Sequence, residues 1–496
     1  MRKLLIIFIV SWLVAVYGAP ASAVDIKVSG TYYAAGVFES NHSLRTEDGR
    51  DALAASANGK GSSASFVSQR LRMQPEFKIA EGLTLSTRFD ALEKKWGDSS
   101  WGRVHGYDNT NRPVDQTGAT NADTYRINGR SIRTQENLEW ERAYVDFNTA
   151  IGRFLVGYFD CVCYGTQFLD SNAARAGVKW IYPLGPWSFM AQWEKPHEGG
   201  SYGIGSSGAS LLYANKDLDI YSVGVDYRWK AGTAGAQLQY YYDGYNDYGA
   251  NGGTGAGTVE NWPGGATTAS GFVRKFYTIN PYAKATFGSL ALEAEGWYGF
   301  GKWADFRNSA QDDVDLDAWA LYAKAKYSIG AFYVGALGSI ETGDDPSTSD
   351  KVEGSVLGIT SGPIFMGQSW DPFLLMFNNP MNNWTGNWSG YGAGNAAISY
   401  MEDNCMLWQV FAGWNVTPKL ILEASYGQAK ADEKGTAVDD FYGSEFDLTA
   451  TYKIFNNLSY MIGFGYWWVG DYFKGTSTGN EIDDDYIVMH KLTLSF

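Results

Sequence analysis

Residues 485–496 read DYIVMHKLTLSF, and this stretch limits what the rest of the chain can become. In an extended segment, successive side chains point to opposite faces. Tyr486, Val488, His490, Leu492, Leu494 and Phe496 therefore share one face, while Ile487, Met489, Lys491, Thr493 and Ser495 share the other. A strand at a sheet margin leaves N–H and C=O groups unpaired unless the sheet curls round and closes on it. At membrane depth closure is compulsory, because lipid offers no hydrogen-bond partner. The preceding strands are expected to form the wall that this one closes.

The amino-terminal end is consistent with export. Arg2 and Lys3 precede an apolar run over residues 4–16, followed by Gly18, Ala19, Pro20 and the small-residue site Ala21-Ser22-Ala23. This is the pattern of a secretory signal peptide over residues 1–23, cleaved after Ala23. The run is short for a spanning helix. No Cys stands at the cleavage site, so a lipoprotein is not expected. Without Arg2 and Lys3 the mature chain has 37 basic against 54 acidic residues, a net charge of −17 compared with −15 for the whole sequence. An exported acidic chain disfavours a nucleic-acid partner.

Aromatic residues make up 16%, with 19 Trp and 33 Tyr, yet mean hydropathy is only −0.26. Beyond the leader no apolar run approaches the roughly 18 residues that a transmembrane helix needs. A helical membrane protein is excluded. A transmembrane barrel carries its apolar band as every second residue, which average hydropathy misses. A secreted sandwich or propeller is the alternative, and alternating segments near ten residues long with aromatic ends argue against it.

The alternation is explicit. Over residues 65–79, Val67, Leu71, Met73, Phe77 and Ile79 are expected to face out, with Arg70, Arg72, Gln74, Glu76 and Lys78 facing in. Leu83, Leu85 and Phe89 oppose Ser86, Arg88 and Asp90; Ala143, Val145 and Phe147 oppose Arg142, Tyr144 and Asp146. Ala176, Val178, Trp180 and Tyr182 oppose Arg175 and Lys179, and Tyr221, Val223, Val225, Tyr227 and Trp229 oppose Ser222, Asp226 and Arg228. Leu290, Leu292 and Ala294 oppose Glu293 and Glu295. Leu420, Leu422, Ala424 and Tyr426 oppose Glu423 and Ser425; Phe446, Leu448, Ala450 and Tyr452 oppose Asp447, Thr449 and Lys453. An apolar outside and a charged inside invert the soluble barrel.

Eight short turns, at 81–82, 149–152, 184–186, 231–232, 288–289, 329–330, 416–418 and 455–457, alternate with longer polar loops such as 40–64, 97–137, 196–216 and 244–271. Eight turns with both termini on one side give a single-domain, all-β, antiparallel up-and-down transmembrane barrel of about 18 strands over residues 24–496, with 16 as the fallback. No segment before Val28 is long enough for a plug, which argues against an energy-coupled receptor. The longest insertion, 343–404, has an aromatic run at 370–377. A loop that apolar should pack on something. It is expected to form a pore constriction or a subunit contact, with a self-packed external cap as the alternative.

Several motifs resemble the porins of anaerobic delta-type proteobacteria, related in style to alginate-export barrels. They are Gln69-Arg70-Leu71-Arg72, residues 141–146 (ERAYVD), 341–346 (ETGDDP) and 465–474 (GYWWVGDYFK). The last strand is also similar to the carboxyl-terminal assembly signal of bacterial outer-membrane barrels, which ends in Phe with apolar residues two and four places earlier. A Gly often seen five places before the end of that signal is here Lys491. The resemblance implies an outer-membrane porin for passive diffusion of small hydrophilic solutes or ions, commonly trimeric, in contact with lipopolysaccharide. A sleeve around a partner such as a multihaem cytochrome, or an anionic-polysaccharide export channel, are the alternatives. Mixed acids among the basic residues count against the export role.

The expected pore-lining residues are Arg70, Arg72, Lys78, Arg88, Arg142, Arg175, Lys179 and Arg228, with Glu293, Glu295, Glu423 and Asp447. In a ring of about 18 strands the basic and acidic sets fall on opposite walls, giving a transverse field unless each charge pairs with a strand neighbour. Trp180, Tyr182, Trp187, Tyr227, Trp229, Tyr298, Tyr460, Tyr466 and Trp468 suit interfacial girdles. Inward Trp297 and Trp467 are alternatively a sugar-stacking path. Acidic clusters at 312–317, 344–345 and 483–485 offer oxygen ligands for Ca²⁺ but lack the spacing of a calcium loop. Cys405 bridging Cys161 or Cys163 would tether the insertion. With four histidines, three in loops and His490 facing lipid, no catalytic constellation is expected and the chain is read as a non-enzyme.

Overall fold

The computed structural model describes residues 24–46, 63–96, 125–127, 130–132, 138–161, 163–170, 173–197, 217–244, 272–306, 312–354, 370–385, 388, 390–391 and 404–496. The expected signal peptide at 1–23, His105 and most of the loops at 97–137, 198–216 and 245–271 lie outside the described residues.

Eighteen strands form one closed antiparallel barrel. The first three are β1 (Asp25–Glu39), β2 (Ala64–Ala80) and β3 (Leu83–Lys95). Hairpins follow as β4 (Leu138–Thr149) with β5 (Gly152–Asp160), β6 (Ala174–Leu184) with β7 (Trp187–His197), and β8 (Leu218–Trp229) with β9 (Gly232–Asp243). Next come β10 (Phe272–Phe287) with β11 (Leu290–Phe306), and β12 (Val314–Ile329) with β13 (Phe332–Glu341). The wall is completed by β14 (Cys405–Asn415), β15 (Leu420–Lys430), β16 (Phe441–Phe455), β17 (Leu458–Val469) and β18 (Asp485–Ser495). A two-residue strand, Lys351–Val352, runs parallel beside Asp315 and Leu316 outside this ring. Tyr125–Ile127 and Arg130–Ile132 pair as a separate small hairpin.

Closure is made where β18 meets β1, from Thr31 opposite Ser495 to Glu39 opposite Ile487. Gly30 and Phe496 exchange main-chain hydrogen bonds at 2.8 and 3.0 Å, so the ladder continues to the terminal residue. All eight expected short turns are present at one rim, two of them displaced by one residue, to 230–231 and 330–331. Gly288 and Gly330 reverse the chain there with φ of 62° and 60°, a conformation that carries no Cβ penalty for glycine.

The two faces divide as the alternation requires. Val145, Val156, Val223, Leu321, Leu448 and Ile462 are exposed on the outside, while Arg88, Asp90, Arg175 and Glu295 are covered inside. Paired outward rings mark both boundaries of the apolar band. Trp180–Tyr182, Trp187–Tyr227 and Tyr227–Trp229 lie near the short-turn rim; Tyr298–Phe300 and Tyr466–Trp468 lie toward the opposite end. This is a transmembrane β-barrel surface, since only lipid makes such an exterior stable. Among the described residues no helix is long and apolar enough to cross a membrane.

One bulge alters the pattern at a consequential place. Arg88 stands opposite Arg142, but Phe89 stands opposite Trp140, so Glu141 is the extra residue. Strict alternation around inward Arg142 would send Glu141 into lipid. The bulge turns it inward beside Arg72 and Arg88 and leaves Trp140 outside.

The division of faces predicts opposite outcomes at adjacent positions. Leu448→Arg, on the lipid side, should destabilise the barrel by about 2–4 kcal/mol, and Thr449→Arg, facing water inside, by less than about 1 kcal/mol. Urea unfolding in lipid vesicles would read both.

Candidate functional site

Two segments fold into the lumen, and together with a charged wall they define the site. The first is 163–170, between β5 and β6. Glu295 on β11 accepts hydrogen bonds from the Thr166 N–H at 3.0 Å and its hydroxyl at 2.5 Å, and Asn280 Nδ2 donates to the same carboxylate at 3.2 Å. Lys284 Nζ donates to the Gly165 carbonyl at 2.7 Å, and the Tyr164 hydroxyl donates to the Val225 carbonyl at 3.1 Å. The short-range sequence pattern gave no sign of this arrangement, because Glu295 and Thr166 are distant in the chain and meet only through the barrel.

The second is the part of the long insertion described at 370–385, 388 and 390–391. Glu445 on β16, fully buried, accepts the Leu375 N–H at 2.8 Å and the Met376 N–H at 2.7 Å on its two carboxylate oxygens. Gln409 on β14 donates to the Pro372 carbonyl. The wall makes room for the segment with glycines. A Cβ on Gly427 would stand 2.8 Å from the Phe373 ring and one on Gly463 would stand 3.2 Å from Leu374. A short helix, α1 (Asn379–Thr385), is opened by the Asn378 side chain, which accepts the Met381 N–H at 2.9 Å. At its end Lys95 Nζ donates to the Trp384 carbonyl at 2.6 Å, and the Trp384 ring packs on Tyr33 and Phe66. The Trp388 ring N–H then reaches Glu39 Oε1 at 2.8 Å.

The insertion therefore crosses from β12 to β1–β3 through the interior. Its start meets the first segment, with Phe168 centred 5.1 Å from Trp370 and both rings against Tyr322. This is the in-folded arrangement and not an external cap. Trp297 and Trp467 do point inward, but they are 2% and 0% exposed. Trp467 is edge-on to Trp388 and Phe473, so neither face is open to a sugar ring.

The charged wall itself is built from β2–β5. There the expected basic residues are brought together, each with an acid. Arg72 binds Asp90 at 2.7 Å and Glu141 at 3.0 Å; Arg70 lies 3.7 Å from Asp90 and from Glu93. Arg88 pairs with Glu141, and Arg142 with Asp160. Next to this wall, Arg175 pairs with fully buried Glu194 at 3.0 Å. Lys179 is centred 5.9 Å from the Phe159 ring, whereas Lys78 and Arg228 stand exposed near the short-turn rim. The basic arc is thus largely neutralised in place, which favours strand-neighbour pairing over a purely transverse field.

The acidic set is dispersed. Glu295 is occupied by segment 163–170. Asp447 is 5% exposed and takes the Ser425 hydroxyl at 3.2 Å. Glu423 accepts the Tyr333 hydroxyl, and Glu293 stands opposite Lys324 and Lys284 in the ladder. Arg70 is 29% and Glu93 44% exposed, so water reaches this charged wall inside the barrel. In the insertion, Asp371 accepts the Asn379 N–H at 2.9 Å. Its side chain is open to the lumen, and the protein wall around it pushes the carboxyl up to about 6, against the opposing pull of that N–H and of Lys491.

Cys161, Cys163 and Cys405 are not joined by a disulfide, and Cys161 Sγ is directed at the Phe159 and Arg175 carbonyls, so the expected tether is not formed. Among the described residues no three His, Cys, Asp or Glu side chains are grouped to hold a metal ion. Asp315 and Asp317 face Lys302 and Lys351 at 2.7 and 3.3 Å, while Asp344 and Asp345 cap local N–H groups.

Fold and site together define a transmembrane β-barrel whose lumen is charged and narrowed by its own loops. No family description matches the sequence, and no curated protein does. Among solved structures, the outer-membrane protein OpdK of Pseudomonas aeruginosa is 12% identical, with TM-score 0.44 over 95% of this chain and 99% of its own. P. aeruginosa OccK2 (OpdF), solved with glucuronate, is 14% identical with TM-score 0.46 over 95% and 98%. A BenF-like porin from Pseudomonas fluorescens Pf-5 is 13% identical with TM-score 0.45 over 95% and 99%. At such identity and overlap, the fold and role of this chain rest on its own geometry.

Glu445 supplies two hydrogen bonds from a carboxylate, each worth about 1.5–3 kcal/mol. Glu445→Ala should release residues 373–377 to chymotrypsin in the folded barrel at least ~10-fold faster, and Glu445→Gln, which keeps one acceptor, by less. Equal cleavage rates in all three proteins would remove Glu445 as the anchor.

Proposed function

We propose that this chain is a bacterial outer-membrane porin that lets small hydrophilic solutes or ions diffuse passively along the β2–β5 wall. The observation that carries this reading is the water-accessible charge of Arg70, Arg72 and Glu93 inside a barrel whose exterior is apolar. A pore needs polar groups to replace hydration and a narrowing to select. The wall residues supply the first, and segments 163–170 and 370–391 supply the second. Arg70, Arg72, Lys78, Arg88, Arg142, Arg175, Lys179, Arg228, Glu293 and Glu423 line the path or its mouths in this reading, while Glu295 and Asp447 hold the narrowing in place.

The alternatives fit less well. A sleeve would need an empty lumen, and this one carries its own polypeptide from β12 to β3. An exporter of an anionic polymer would need unpaired guanidinium groups, and those on β2, β3 and β4 are matched by Asp90, Glu141 and Asp160. The delta-proteobacterial resemblance adds a homotrimer and contact with lipopolysaccharide to the proposal. Outward ion pairs such as Lys275–Asp305 at 2.7 Å, above the Tyr277 and Tyr298 rings, suit the level of charged headgroups.

Single-channel recording of the refolded protein in a planar bilayer tests the reading directly. Stable openings are expected, in threes for a trimer, and removal of residues 370–391 should raise conductance by a few-fold. Folded protein that stays silent both with and without that segment would exclude the pore. Asp371 adds a pH dependence. Protonated below about pH 6 and charged above it, it should raise the cation permeability ratio as pH climbs from about 5 to 7, and Asp371→Asn should abolish this change.

A further inference from the structure

Resting on the porin reading, we infer that the lumen is polarised along its axis, with a cationic vestibule at the short-turn mouth, so that the channel rectifies and favours anions there. Lys78, Lys179, Arg228, Lys324, Lys326 and Lys453 all point inward within about six residues of a short turn, roughly 20 Å or less along a strand. Among the described residues none of these six has a carboxylate in ion-pair contact. Lys326 lies 3.7 Å from the centre of the Tyr333 ring and Lys324 lies 5.7 Å from that of Phe411, contacts that leave the charge in place.

The same band also holds Asp25, Glu76, Asp146, Asp226, Glu293 and Glu423, with Asp25 opposite Lys78 and Glu76 opposite Lys27 in the ladder and Asp146 paired with Arg153. Asp226 accepts the Tyr282 hydroxyl at 2.7 Å and Glu423 the Tyr333 hydroxyl, bonds that leave both charges in place. Cations remain in excess, with Lys284 and Lys491 adding to them.

The other half of the lumen is built differently. Glu39, Glu194, Glu341, Glu445, Asp447 and Asp485 are all buried there, at 5% exposure or less. Glu39, Glu194, Glu445, Asp447 and Asp485 accept hydrogen bonds from loops or neighbours, and Arg72 and Arg175 meet acids of their own. Among the described residues of the inner wall, cations without an ion-pair partner that face water are therefore gathered at the short-turn mouth. Low-dielectric walls focus such a field. Counter-ions gather at the cationic mouth and are swept into or out of the narrowing according to the sign of the voltage, which makes conductance unequal in the two directions.

Channels inserted in one orientation, recorded in 0.1 M and 1 M potassium chloride, would test this. At 0.1 M, currents at opposite voltages should differ by about twofold, with reversal potentials favouring chloride. At 1 M, where charge is screened within about 3 Å, the asymmetry should collapse. A quadruple variant with Lys78→Gln, Lys324→Gln, Lys326→Gln and Lys453→Gln should bring the low-salt ratio close to one. Lys275→Gln with Lys302→Gln, outside the barrel, should leave it unchanged. Ohmic wild-type openings at 0.1 M, or rectification that survives the quadruple variant, would overturn the polarity while leaving the porin intact. Folded protein without openings, even after removal of residues 370–391, would overturn the porin reading itself.

Discussion

Every main-chain N–H and C=O at membrane depth must find its partner within the protein, and the ladder between β1 and β18 is where this chain meets that requirement. Once the first and last strands are joined, no edge remains, and the wall behind them can be purely local: each strand pairs with its sequence neighbour through a short turn or a loop. The two faces then acquire opposite solvents. Outward positions become apolar and aromatic, inward positions polar, and each loop at the open rim either stays outside or turns into the lumen.

What turns two of them inward is the chemistry of buried carboxylates. Glu295 takes the Thr166 N–H and hydroxyl, and Glu445 takes the Leu375 and Met376 N–H groups. Main-chain donors in a loop lack the partners that a ladder would provide, and a buried acid without a nearby cation needs donors. Each satisfies the other. Apolar contacts complete the joint, with Phe168, Tyr322 and Trp370 where the segments meet and Trp388 against Trp467 at the far wall. The acids are as much structural as electrostatic, so the charge a solute meets is not the inventory of inward residues. Among the described residues it is what remains after anchoring and pairing: a mixed arginine–carboxylate wall at mid-depth and lysines without an ion-pair partner toward the short-turn mouth.

The sequence by itself determined the barrel. Period-two alternation in nearly every strand, eight short turns and a terminal strand in need of a partner were enough for eighteen strands, their order and the side each faces, because these depend only on local geometry and on the solvent outside. It also marked the insertion at 343–404 as a segment that must pack on something. Tertiary structure alone decided what that was, since Leu375 and Glu445 are 70 residues apart and meet only when the wall is closed. The same holds for Glu295 with Thr166, and for Arg72, Asp90 and Glu141. A one-residue bulge, invisible to strict alternation, carried Glu141 from the lipid face to the lumen. Residue periodicity fixes direction relative to a strand, whereas partnership across a ring depends on register, closure and the path of loops through the space they enclose.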